Sequence, residues 1–93
     1  MKNLRQIKVK FLGPTNYKGA RIKIYEPKRY KYDKEQSKIF PYCYKTGDIL
    51  KQGWEILEKN NFIIKGYSSE VNNYIILCDN WGEQYLEINS IKN

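Results

Sequence analysis

Seven cations and three tyrosines crowd one stretch of this sequence: Arg21, Lys23, Lys28, Arg29, Lys31, Lys34 and Lys38, interleaved with Tyr25, Tyr30 and Tyr32. Lysine and arginine neutralise phosphates, and tyrosine rings offer stacking faces to unpaired bases. If residues 28–32 are extended, Lys28, Tyr30 and Tyr32 share one face, and Arg29 and Lys31 share the other. Such a surface suits RNA, single-stranded DNA, the exposed part of a guide RNA, or an acidic protein groove. The competing reading makes Tyr25, Tyr30 and Tyr32 partly buried sheet residues with lysine stems lying over them. Both readings can hold at once.

The run Gly13-Pro14-Thr15-Asn16-Tyr17-Lys18-Gly19 is a second candidate. Backbone N–H groups between Gly13 and Gly19, with Thr15, Asn16, Lys18 and Arg21, can form an anion nest for a nucleotide phosphate. The competing reading is a hairpin turn whose glycines and proline serve geometry alone. The run lacks the spacing and the Lys-Ser/Thr ending of a P-loop. Trp81, beside Gly82, is expected in a turn and partly exposed, where it would anchor a protein interface.

Catalytic groups are harder to assemble. The chain has no histidine, so the usual general base near neutral pH is missing. Asp33 and Glu35 sit among lysines, and Asp79 and Glu83 flank a turn. Cys43 and Cys78 lie in separate strand-like runs, outside any CxxC pair. They make a poor zinc site, and both read as small apolar residues in or near the core. The expectation is a protein that is not an enzyme and holds no metal or cofactor.

The charge is uneven. Of 93 residues, the first 45 carry a net +10 and the remaining 48 a net −3. A solubility bias would spread lysine evenly, so the asymmetry points to a face that meets something anionic. The length fits one domain, residues 1–93. No apolar run approaches the roughly 20 residues of a membrane helix, so no membrane association is expected. Residues 1–6 lack the apolar run and cleavage site of a secretory signal, which sets a cytoplasmic expectation.

The elements that must position these groups follow from periodicity. Ile7, Val9 and Phe11 alternate with Lys8 and Lys10, and Ile22 and Ile24 alternate with Arg21, Lys23 and Tyr25. A period of two predicts two half-buried strands, Gln6–Leu12 and Ala20–Tyr25, joined as an antiparallel hairpin. Pro27 pushes residues 26–38 toward a loop or an irregular edge. Lys38–Tyr44 reads as an edge strand. Ile49, Leu50, Trp54 and Leu57 predict a helix over about 47–60 with Trp54 in the core. Thr46 is its expected N-cap, Asn60 and Asn61 its C-terminal stop, and Gly53 a point of close approach to the sheet. Phe62–Tyr67 and Tyr74–Cys78 read as further strands, the second covered on both faces, with a last short strand over 85–88. The predicted fold is α+β: an antiparallel sheet of four to six strands with one amphipathic helix on one face.

The segment from Phe11 to Lys23, Phe-Leu-Gly-Pro-Thr-Asn-Tyr-Lys-Gly-Ala-Arg-Ile-Lys, resembles a motif of small uncharacterised proteins of phages and mobile elements. In those, an aromatic residue precedes Leu-Gly-Pro-Thr-Asn, and Arg-Ile/Val-Lys closes the run. Beyond residues 11–23 only the order of elements is shared, and the Lys/Tyr segment 26–38 departs by being longer and more basic. The resemblance implies a phage or mobile-element origin and no general activity. The expectation it sets is an inhibitor of a host defence system, such as an anti-CRISPR protein, in the cytoplasm of an infected bacterium. Its partner would be a host effector protein or ribonucleoprotein, bound stoichiometrically through the basic Lys/Arg/Tyr face. The alternatives are a sequestering protein for a small anionic nucleotide and a general phage nucleic-acid-binding accessory protein. The sequence leaves the oligomeric state open.

Overall fold

Alternation does build the first strand, β1 (Arg5–Leu12), but it starts one residue earlier than the apolar pattern, at Arg5. In the computed structural model, which describes residues 4–27 and 35–92, Arg5, Ile7 and Val9 are buried while Gln6 and Lys10 are exposed. β2 (Arg21–Glu26) repeats this, with Ile22, Ile24 and Glu26 buried. β3 (Gln36–Pro41) precedes a helix, α1 (Ile49–Lys59), then β4 (Ile64–Glu70) and β5 (Asn73–Cys78). The strands form one antiparallel sheet in the order β3-β2-β1-β5-β4, as the α+β reading requires. Among the described residues no helix is long and apolar enough to cross a membrane.

One face of the sheet holds the core. Ile7, Val9, Ile22, Ile24, Phe40, Ile76 and Cys78 pack there with Ile56 and Leu57 of α1, Phe62, Ile88 and Ile91. The helix touches the sheet through Gly53. A Cβ built on Gly53 would lie 2.7 Å from Val9 Cγ2 and 3.2 Å from Cγ1. The side-chain-free position therefore sets the distance between the layers. The helix is rotated slightly from the predicted stripe. Gln52, Gly53, Ile56 and Leu57 are buried, while Trp54 is only half-buried at the core's edge, contrary to expectation.

Other boundaries also moved. Asp48, not Thr46, caps α1, its carboxylate accepting from Leu50 N–H at 2.9 Å. Thr46 instead donates to Cys43 Sγ. Asn60 and Asn61 do end the helix, Asn61 with a positive φ of 70°. The gap between the strands predicted over Phe62–Tyr67 and Tyr74–Cys78 shrinks to the two-residue turn Val71-Asn72, with Asn72 at φ 68°. Asparagine is among the few residues that accept this left-handed geometry. The strand expected at 85–88 is replaced by two single turns of 3₁₀ helix, Gly82–Gln84 and Ile88–Ser90. Their burial comes from Ile88 and Ile91, which fill the core beside α1.

The charged residue of β1 that points inward is fixed by a second one. Arg5 Nε and Nη2 donate to the two carboxylate oxygens of Glu26 at 3.0 and 2.8 Å, and Nη1 donates to the Asn80 carbonyl at 3.4 Å. The guanidinium lies 4.4 Å from the Tyr85 ring centroid and 5.6 Å from that of Phe62. Its side chain is fully buried. Asn80, also buried, accepts from Ile63 N–H and donates to the Gln84 carbonyl, so the same cluster ties down the start of β4 and the C-terminal segment.

Two stability outcomes follow. Alanine favours a helix over glycine by about 1 kcal/mol, but overpacking a core costs ~1–3 kcal/mol. Gly53→Ala is expected to destabilise the chain in urea melts. Combined with Val9→Ala, the loss should be smaller than the sum of the single losses. Glu26→Gln, which strands a buried guanidinium, is expected to cost ~3–5 kcal/mol. Replacing both partners, Arg5→Met with Glu26→Leu, should retain most of the stability in the same melts.

Candidate nucleic-acid interface

The strand residues that point away from α1 form a surface of their own. Register places Lys8 opposite Tyr25 on one side and Ile75 on the other. Lys10 lies opposite Lys23 and Asn73, and Leu12 opposite Arg21. On the far side of β2, Lys23 faces Ile39, Arg21 faces Pro41 and Tyr25 faces Ser37. Directly opposed residues share a face, so Lys8, Lys10, Arg21 and Lys23 make a four-cation patch on the central strand β1 and its neighbour β2. The helix and the 3₁₀ turns lie on the opposite side, attached through Val9, Gln36 and Arg5. Among the described residues, no element packs over the basic face.

The electrostatics of this patch are unbalanced. Lys8 pairs with Glu70 at 3.5 Å and Lys23 with Glu35 at 3.2 Å, both at the rim. Lys10 and Arg21 have no carboxylate partner among the described residues. Arg21 Nε and Asn73 Oδ1 are buried atoms without a hydrogen-bond partner there. Like charges placed directly across a strand pair destabilise it, and Lys10 opposite Lys23 is such a pair. Tyr25 is half-buried, with Lys23 Nζ 4.8 Å over its ring and its hydroxyl oxygen accepting from Asn73 Nδ2 at 3.5 Å. The Lys23 ammonium therefore lies over a half-buried Tyr25 ring, while Tyr30 and Tyr32 of the same reading lie outside the described residues.

The predicted binding residues divide. Arg21, Lys23 and Tyr25 come together on the open face. Lys38 lies opposite Ile24, which puts it on the helix side of β3, where it is exposed. Lys18 sits exposed in the β1–β2 loop, outside the paired strands. Lys28, Arg29, Tyr30, Lys31, Tyr32 and Lys34 fall outside the described residues. The sequence reading missed Lys8 and Lys10, although their signal was present. The alternation that sends Ile7 and Val9 inward sends these lysines outward, and the hairpin then sets them beside Arg21 and Lys23.

The Gly13–Gly19 loop is closed by its own bonds. Thr15 N–H donates to the Lys18 carbonyl at 2.8 Å, and Thr15 Oγ1 accepts from the N–H groups of Tyr17 and Lys18 at 3.3 and 3.0 Å. These three N–H groups are therefore not free to serve an anion nest. Neither Gly13 nor Gly19 has a positive φ, and a Cβ at either would meet open space. Asn16 is exposed, and Tyr17 is 95% exposed at the tip. Trp81 is half-buried at the entry to the first 3₁₀ turn.

The two thiols differ. Cys78, buried opposite Arg5 in the core, has its pKa pushed up to about 12, chiefly by loss of solvent. Cys43 is half-buried, and its pKa is lowered, first by the Thr46 hydroxyl and next by the Thr46 backbone N–H. Both are free cysteines. Compared with protein-family models, curated proteins and solved structures, the chain matches none. Fold and site together define a small α+β domain with a basic sheet face over which no element packs among the described residues.

A thiol titration separates the cysteines. Because the thiolate is the nucleophile, a disulfide reagent at pH 8 is expected to modify Cys43 in the folded chain and Cys78 only after denaturation. Equal rates for both, read by mass spectrometry, would contradict the buried placement of Cys78.

Proposed function

We propose that the chain is a non-catalytic binder whose open sheet face receives single-stranded nucleic acid. The observation that carries this reading is the opposition of Lys10 and Lys23 in mid-sheet, with Lys8 and Arg21 beside them. Like charges so placed destabilise the strand pair, the Glu35 carboxylate offsets this on Lys23 alone, and a phosphate backbone would relieve the rest. A flat antiparallel surface suits a flexible strand whose bases can lie against Tyr25, Ile39 and Leu12. With the phage-like motif of residues 11–23, the reading extends to an inhibitor of a host defence ribonucleoprotein, acting by occupancy on its RNA. The nucleotide-sequestering alternative has less support, because Thr15 Oγ1 already holds the Tyr17 and Lys18 N–H groups.

Fluorescence anisotropy with labelled single-stranded RNA and DNA, across a salt series, tests the reading. Affinity is expected to fall steeply with salt. Lys10→Gln and Lys23→Gln should each make the log–log slope shallower by about one. Lys10→Gln should also raise thermal stability while it lowers affinity, since it removes the like-charge pair. Binding that ignores salt, or that ignores both substitutions, would remove the sheet face as the site. Recovery of a guide-RNA-containing complex on the wild-type chain, and not on a Lys8/Lys10/Lys23→Gln variant, is the outcome expected for the defence-inhibitor extension.

A further inference from the structure

The two edges of the sheet are treated differently. On β3, the Ser37 N–H donates to Asn89 Oδ1 at 3.1 Å, and Pro41 has no N–H to offer. A capped amide, a proline and Lys38 are ordinary ways of closing an edge against strand addition. On β4, among the described residues, no side chain or strand bonds to the outer edge of the run from Gly66 to Glu70. A bulge between Ile64 and Gly66 confines the usable edge to that run.

Beside this edge, on the helix side of the sheet, lies a groove of about 340 Å³ between α1 and β4. Tyr67 and Trp54 meet edge to face there, with centroids 6.2 Å apart. Leu50 adds apolar surface, and the carboxylates of Asp48, Glu55 and Glu58 rim the groove against one lysine, Lys51. Glu58 is held in place by the Trp54 indole N–H, which donates to its Oε2 at 3.1 Å. Tyr67 is 55% exposed, so its ring is open to a ligand. Aromatic rings with adjacent carboxylates recognise an ammonium or a guanidinium group. In a strand added to β4, alternate side chains point to the helix side, next to Tyr67.

We propose that β4 accepts an extended, arginine- or lysine-bearing segment of a partner protein as a sixth strand, with a cationic side chain in the Trp54–Tyr67 groove. This site lies on the opposite face from the basic patch and stands apart from the nucleic-acid reading. The chain would then present a basic face to a polyanion and an acidic, aromatic groove to a polycation. A partner that itself binds nucleic acid carries such basic segments.

The test uses the whole chain and a capped heptapeptide of alternating arginine and valine, followed by ¹H–¹⁵N NMR. Shifts are expected at Gly66–Glu70 and at the Trp54 indole, with slowed amide exchange along that run. A peptide with glutamate in place of arginine should bind at least tenfold more weakly. Tyr67→Ser, and separately Glu55→Lys, which leaves the Trp54–Glu58 bond intact, should weaken peptide binding several-fold while circular dichroism and RNA affinity stay unchanged. No shifts at millimolar peptide would overturn the proposal. So would shifts confined to the Lys8–Lys23 face, equal binding of the glutamate peptide, or an edge occupied only by a second copy of the chain in sedimentation runs.

Discussion

A guanidinium removed from water destabilises its host strongly unless it is paired, and Arg5 is paired or covered on every side. Glu26 takes its fork, the Asn80 carbonyl takes a third N–H, and the Tyr85 and Phe62 rings cover the remainder. The desolvation of such a pair offsets much of its attraction, so its contribution is one of specification more than of stability. A slip of β1 by one residue would turn Arg5 to solvent and strand Glu26 in the core. The ion pair therefore penalises the wrong register, and with it the wrong choice of which residues form the open face. Lys8, Lys10, Arg21 and Lys23 point outward together because Arg5 and Glu26 point inward together.

The same cluster explains why the second half of the chain is needed. Asn80 and Tyr85 reach Arg5 from beyond β5, and Gln36 of β3 accepts from Ile88 N–H while donating to Tyr85 Oη. The 3₁₀ segment thus closes the core beside α1 and caps the β3 edge through Asn89. The acidic half of the sequence supplies the inner layer and the rim of the molecule. The basic half supplies the three strands at one side of the sheet. An uneven charge along the chain becomes an uneven charge across the sheet.

How much of this was legible depends on whether a feature is local. The strands of the hairpin, the helix and its asparagine stop follow from neighbours a few residues apart, and they appeared where periodicity put them. The α+β class followed from these. Sheet order did not, because nothing local says that β1 pairs with β5 and sits in the centre. Thr46 and Asp48 are both good caps, but Gly47 at φ 70° is not helical and puts the start of α1 after it, at Asp48. The rotation of α1 that seats Gly53 against Val9 moved Trp54 from the core to its edge. The run 85–88 has strand-like residues, but both edges of the sheet end elsewhere, so its apolar side chains were buried by turns instead. Arg5 and Glu26 were readable in principle, since each falls in phase with the buried residues of its strand. A charged residue at a core position is normally read as the end of the pattern, and here it was the part of the pattern that fixes the fold.

The open face follows from the same distinction. The cations that sequence weighs most heavily are those in an unbroken run, because proximity in sequence is all it displays. The patch is built instead from two residues on each of two strands, brought together by pairing. Lys10 and Lys23 are 13 positions apart in sequence and directly opposite in the sheet. Neither the alternation of β1 nor that of β2 alone shows a repulsive contact; only the hairpin register does. A repulsion kept in the middle of a sheet, where threonine or glutamine would stabilise the pair, is a local stability defect. Such defects gather where a surface is shaped for binding, and a polyanion is the class of ligand that would remove this one. The fold can hold that repulsion because its register is secured on the other face, by the one charge pair that water does not reach.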